Sequence, residues 1–187
     1  MTNNFINDKK IRDKIVHYIN DLFKEVNQKI ILKYFNNLNS NDISTKTSDD
    51  DFVSIADKKS EELICKKLIG FLNVKKFIGE ESSYINNKQY ITLLNEPLVW
   101  VVDPIDGTKN YINGKDTFCS MISLVSFSIP IATFIYYPLK NIYVYAFKGF
   151  GAYSMNIDTN KITKLSINQT TPKLILGSGG TKGIPDP

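Results

Sequence analysis

Asp103 and Asp106 carry the clearest chemistry in the sequence. They belong to the run Trp100-Val101-Val102-Asp103-Pro104-Ile105-Asp106-Gly107-Thr108, where an apolar stretch ends in an aspartate and Pro, a second Asp, Gly and Thr follow. Two carboxylates three residues apart across a turn can converge on one point, with the Ile105 carbonyl between them as a third oxygen. Hard divalent cations take oxygen ligands, and magnesium combines one or two carboxylates with waters and phosphate oxygens. Gly107 lets a ligand approach the backbone closely. A short helix starting at Thr108 would present free N–H groups to an anion. Taken alone, the segment has a simpler explanation, because Asp-Pro and Asp-Gly are common turn pairs.

Two more acidic segments precede it. Gly79-Glu80-Glu81-Ser82 follows a short apolar run. Its glutamates could supply one metal ligand and one base that positions water. By themselves they describe an exposed acidic loop. The stretch from Lys46 through Asp49, Asp50 and Asp51 to Asp57 is, by itself, an acidic loop leading into a helix cap.

Together and in this order, the segments resemble the inositol monophosphatase family of metal-dependent phosphatases. Lys46, Asp51 and Val53-Ser54-Ile55-Ala56-Asp57 are similar to that family's lysine, aspartate and V-[ST]-x-x-D helix start. Gly79-Glu80-Glu81-Ser82 matches its G-E-E-S motif, and Trp100 to Thr108 matches W-x-x-D-P-[IL]-D-G-T. Lys148-Gly149-Phe150-Gly151-Ala152-Tyr153 is similar to its G-x-G-A-[FY] turn. The likeness runs from about Ile11 to Leu165.

The resemblance implies a hydrolase acting on a small phosphomonoester, an inositol monophosphate first, with Mg2+ as cofactor and activated water as nucleophile. It implies Glu80, Asp103, the Ile105 carbonyl and Asp106 as metal ligands. It implies a catalytic set of Thr108, Asp57, Glu80 and Lys46. In that set Thr108, hydrogen-bonded to Asp57, orients or deprotonates the water, and Lys46 tunes the charge around Asp57. The Gly107 and Thr108 N–H groups would hold the phosphate. Such hydrolysis is extremely slow without catalysis, and paired metal ions can offset charge on both the entering and the leaving oxygen. With one histidine in the chain, no Ser/His/Asp set is evident.

The sequence also departs from the family pattern. Members continue into a second α/β lobe with a W-D-x-[AG]-[AG] motif, but Trp100 is the only tryptophan here and no such motif follows it. The resemblance therefore implies a first lobe with the second largely missing, either active or a catalytically impaired remnant. Lys109 stands where the inositol branch usually has a second threonine. Lysine there is similar to the 3'(2'),5'-bisphosphate nucleotidase and histidinol- or sugar-phosphatase branches, whereas Asn110 and Tyr111 resemble the inositol branch.

The elements that must position these residues follow from apolar periodicity. Ile11, Ile15, Ile19, Phe23 and Val26 recur at three- and four-residue steps and predict a helix over about Asp8 to Phe35. Asn36 to Asp51 is polar and predicts loop. A second helix is expected from Asp57, as N-cap, to Leu72. Strands are expected over 75–79, 90–94, 98–103, 117–127, 131–137, 142–148, 152–155 and 161–165, where β-branched and aromatic residues concentrate. Helices first and mainly antiparallel strands afterwards predict an α/β layered fold: two N-terminal helices on one face of a sheet. Residues 1–170 form the expected catalytic lobe and 171–187 a short unstructured tail or remnant of the second lobe.

Composition excludes other classes. The chain has 187 residues, 42% hydrophobic and 22% charged, with a formal net charge of +4. Its lysines are scattered rather than striped with aromatics, which argues against a nucleic-acid polymer as partner. Cys65 and Cys119 lack the spacing of a zinc site. The apolar Met121–Tyr137 region is broken by serines and Pro130, so no membrane span is expected. The expected partner is a small phosphorylated molecule and the expected compartment the cytoplasm. A homodimer, or association through an exposed sheet face, completes the expectations.

Overall fold

The computed structural model describes residues 5–46, 51–85 and 89–166. A 3-10 turn (Phe5–Asn7) leads into α1 (Lys9–Val26), which Asp8 caps through a 2.8 Å bond from the Lys10 N–H. Its buried stripe of Ile15, Val16, Ile19, Leu22, Phe23 and Val26 is the one the periodicity predicts. The helix continues through a π turn (Asn27–Ile31) into α2 (Leu32–Tyr34).

Within the polar stretch expected to be loop, Ile43–Thr45 forms a strand, β1, that pairs antiparallel with β2 (Phe52–Ser54) just beyond it. The α3 helix (Ile55–Leu68) follows, and Ser54, not Asp57, is its N-cap. Then come β3 (Phe77–Gly79), α4 (Glu80–Ile85), α5 (Gln89–Leu94), β4 (Val99–Asp106), α6 (Thr108–Ile112) and β5 (Cys119–Ser126). The last four strands are β6 (Ile129–Tyr137), β7 (Ile142–Phe147), β8 (Gly151–Asn156) and β9 (Ile162–Leu165).

The seven strands β3 to β9 form one sheet in chain order. Only β3 and β4 are parallel; each later pair is antiparallel. That single parallel pair explains why residues 90–94 are not a strand. A parallel pair cannot be joined by a hairpin and needs a crossover, and α4 and α5 make it.

The helices cover one sheet face. Trp100, Val102, Ile122, Leu124, Phe134, Tyr136 and Tyr143 point there and are buried. Phe23 of α1 stacks on Tyr136 at 5.5 Å, and Phe71, just after α3, stacks on Trp100 at 6.2 Å. The alternate residues on the opposite face, among them Val101, Met121, Ile135, Tyr137 and Val144, are only half-buried. The fold is thus the α/β layered one expected. The tail at 171–187 lies outside the described residues.

Candidate functional site

The strand that carries the two aspartates bends as it ends. On β4, Asp103 pairs with Met121 and Asp106 with Cys119, so one more residue separates the pairs on β4 than on β5. This is a bulge; the two aspartates lie along a strand rather than across a turn. Pro104, with no N–H to donate, suits a place where the ladder is interrupted. Two residues of β5 hold the bulge. The Ser120 hydroxyl donates to the Pro104 carbonyl at 2.7 Å, and the Cys119 thiol lies 3.7 Å from Asp106 Oδ2. Burial, then the neighbouring Asp106 charge, pushes the Cys119 thiol up to about 12, so it stays protonated and can donate.

Gly107 then reverses the chain. Its φ of 87° is left-handed, and a Cβ there would stand 3.0 Å from the Thr117 carbonyl oxygen. The α6 helix begins at Thr108 and is pinned from behind. The Tyr111 hydroxyl donates to the Ile31 carbonyl, in the π turn, at 2.7 Å, and its ring meets Phe118 edge-on at 5.0 Å.

These contacts place the Thr108 hydroxyl 3.1 Å from Asp57 Oδ1 and 3.0 Å from the Ile105 carbonyl oxygen. Asp57 is fully buried. Its Oδ2 accepts the Ser54 N–H at 2.8 Å and the Ser54 hydroxyl at 2.5 Å. Ser54 in turn caps α3 by accepting the Ala56 N–H, and Asp57 completes a capping box from the third helical position. Burial pushes the Asp57 carboxyl above its usual range, and the bonds from Ser54 and Thr108 oppose that shift.

Lys46 belongs elsewhere than expected. Its ammonium lies 2.9 Å from Glu80 and 2.7 Å from Glu81, so it tunes the two glutamates rather than Asp57. Burial would lower the Lys46 pKa, but the bonds to Glu81 and Glu80 outweigh it and hold the ammonium above its ordinary value. Burial also pushes Glu81 up to about 7, against the pull of Lys46.

Asp103 is the most strained carboxyl electrostatically. Burial, then the Glu80 carboxylate, then the charges of Asp106 and Asp57 push it up to about 8. Its Oδ1 is buried with no hydrogen-bond partner. A partnerless buried carboxylate oxygen beside further oxygen donors is completed by a hard cation. On that test Asp103, Asp106, Glu80 and the Ile105 carbonyl fit a divalent metal. They do not form a closed cage: among the described residues, no three Asp, Glu, His or Cys side chains converge as a metal-holding group. Like charges repel without a cation between them, yet the Glu80 and Asp103 carboxyls lie close enough that Glu80 is, after burial, the main influence raising Asp103, while Lys46 pairs with Glu80 as its other neighbour. Glu80 and Asp103 both line a cavity of about 460 Å³ on the uncovered side of the sheet.

Sequence reasoning missed Glu61. Its buried carboxylate accepts the N–H groups of Glu81 at 2.7 Å and Ser82 at 2.9 Å, which lie at the start of α4. Gly79 makes room for it, because a Cβ there would lie 2.1 Å from the Glu61 carboxyl carbon. The glycine was the available signal: one directly before two glutamates implies something close against the backbone.

Residues 13–181 match the model of the inositol monophosphatase family. The chain is 37% identical over 103 residues to a "fructose-1,6-bisphosphatase/inositol-1-monophosphatase" of Aquifex aeolicus, which covers 55% of this chain and 36% of that protein. It is 34% identical over 128 residues to inositol monophosphatase 1 of Solanum lycopersicum, covering 68% of this chain and 44% of that one. Among solved structures, an inositol monophosphatase of Thermotoga maritima superposes with a TM-score of 0.64 at 21% identity, over 76% of this chain and 51% of the other. The chain thus spans less than half the length of these two curated relatives.

Proposed function

The chain belongs to the inositol monophosphatase family, and from that premise we propose that its site serves the magnesium-dependent hydrolysis of a small phosphomonoester, an inositol monophosphate first. The observation that carries this reading is the buried, partnerless Asp103 oxygen, with the Glu80 and Asp106 carboxylates near enough to raise its pKa; the Ile105 carbonyl is the further oxygen of the same strand. Those four groups would hold the metal. Magnesium, when bound, would supply positive charge that acidifies water and offsets charge on the phosphoryl oxygens.

The rest falls to the chain's own residues. When the Thr108 hydroxyl donates to Asp57, its lone pairs are left to accept a hydrogen bond from water. Asp57, itself held by two bonds from Ser54, is fixed in place to take the proton that Thr108 passes on. The N–H groups of Gly107 and Thr108 lie at the start of α6, where helix geometry leaves them unpaired for a phosphate oxygen. Lys46 steadies Glu80 and Glu81 from the far side.

A second reading rests on Lys109. It is exposed next to Thr108, where a cation would favour a substrate with a second anionic group, as in a 3'(2'),5'-bisphosphate nucleotide or a histidinol or sugar phosphate. Phosphate release with magnesium from inositol monophosphate, a bisphosphate nucleotide and a sugar phosphate tests both. Release from the first supports the leading reading and preference for the second supports the alternative. No release from any of them overturns hydrolysis by this chain and leaves an impaired remnant.

A further inference from the structure

We propose that Glu61 is a positioning residue for the metal site: it fixes the turn that presents Glu80. The inference rests on the metal-binding reading above and extends it to a residue that touches neither metal nor substrate.

Glu61 lies on α3, on the helix that also carries Asp57. Its two carboxylate oxygens each take one backbone N–H from the start of α4, those of Glu81 and Ser82. The Glu80 side chain leaves the backbone at the residue just before this clamp. Swinging the backbone that carries Glu80 would require breaking two charge-assisted bonds to a carboxylate that is itself 6% exposed. Gly79 seals the arrangement from the other side, because any Cβ would collide with the Glu61 carboxyl group.

The clamp explains an otherwise costly choice. Glu61 is a carboxylate buried near Glu80 and Glu81, and the lysine of that group, Lys46, bonds to Glu80 and Glu81. Its two oxygens are satisfied by backbone N–H groups, as a buried carboxylate requires, so the helix that carries Asp57 is tied to the turn that carries Glu80. Groups behind first ligands commonly set affinity in this way.

Calorimetric titration of magnesium and manganese into the 187-residue chain and its Glu61→Gln variant tests the inference. Gln keeps the shape but loses the charge and one of the two acceptor oxygens. Affinity is expected to fall about tenfold or more, and the rise in melting temperature that metal gives the parent should shrink in the variant. A purely structural Glu61 would lower both melting temperatures equally and leave affinity within about twofold, which would overturn the proposal. Amide exchange in the parent needs no variant: the Glu81 and Ser82 N–H groups should exchange more slowly once magnesium is added, and unchanged exchange would also overturn it. A parent chain that binds neither metal would instead bring down the metal-site reading, and this inference with it.

Discussion

Asp103 is where charge, burial and ligand chemistry meet most directly. Its ordinary value is 3.8 and the folded value is about 8. A carboxyl raised on folding contributes stability that is fully present below its unfolded pKa and is lost as pH climbs through the folded one. The metal-free protein is therefore expected to lose thermal stability between about pH 4 and pH 8, and Asp103→Asn should flatten that decline in a melting series. Metal competes with the proton, so magnesium affinity should rise over the same interval and binding at neutral pH should release protons. Asp103→Asn should weaken magnesium binding at least tenfold by calorimetry; unchanged affinity would remove Asp103 from the ligand set. Thr108 makes a different prediction. Thr108→Ala should leave magnesium affinity nearly unchanged and slow any phosphate release roughly a hundredfold, while Thr108→Ser retains most of the rate. Equal losses of affinity and rate would mean that the hydroxyl only supports the fold.

The elements matter through the joints between them. The α6 helix has five residues, too short to be stable by itself, so its direction depends on Gly107 before it and Tyr111 within it. Tyr111→Phe removes the donor to the Ile31 carbonyl in the π turn and should cost about 1–2 kcal/mol in urea unfolding. Gly107→Ala forces a left-handed backbone on a residue with a Cβ and should cost about 1–2 kcal/mol, with loss of phosphate release beyond what stability explains. The bulge in β4 works similarly: because Ser120 and Cys119 of β5 hold it, two residues outside any metal-binding motif set the direction of Asp103 and Asp106.

For the molecule as a whole, the two sheet faces differ in kind. One is filled by α1 and α3. The other shows half-buried Val101, Met121, Ile135, Tyr137 and Val144, an apolar surface of the sort that marks association. The 187-residue chain is expected to elute from a sizing column larger than a monomer at high concentration, and Ile135→Lys, placed in the middle of that face, should shift it toward monomer. A parent that elutes as a monomer at every concentration would refute this. Among the described residues no helix is long and apolar enough to cross a membrane.

Residue order by itself determined the α1 face, the sheet-rich second half and the identity of the acidic segments, because each is written in local spacing. Asp57 and Thr108 could be named as partners only through the family resemblance; their 3.1 Å contact joins residues 51 positions apart. Tertiary structure alone decided the rest. The β1 strand lies in a polar stretch and is a strand only because it pairs with β2. Residues 90–94 look like a strand, but the parallel β3–β4 pair requires a crossover there. Lys46 was assigned to Asp57 by its motif, yet folding carries it to Glu80 and Glu81, the anions nearest its ammonium. Glu61 has no signature beyond a distant glycine, because the groups it clamps are backbone amides, which every residue except proline carries.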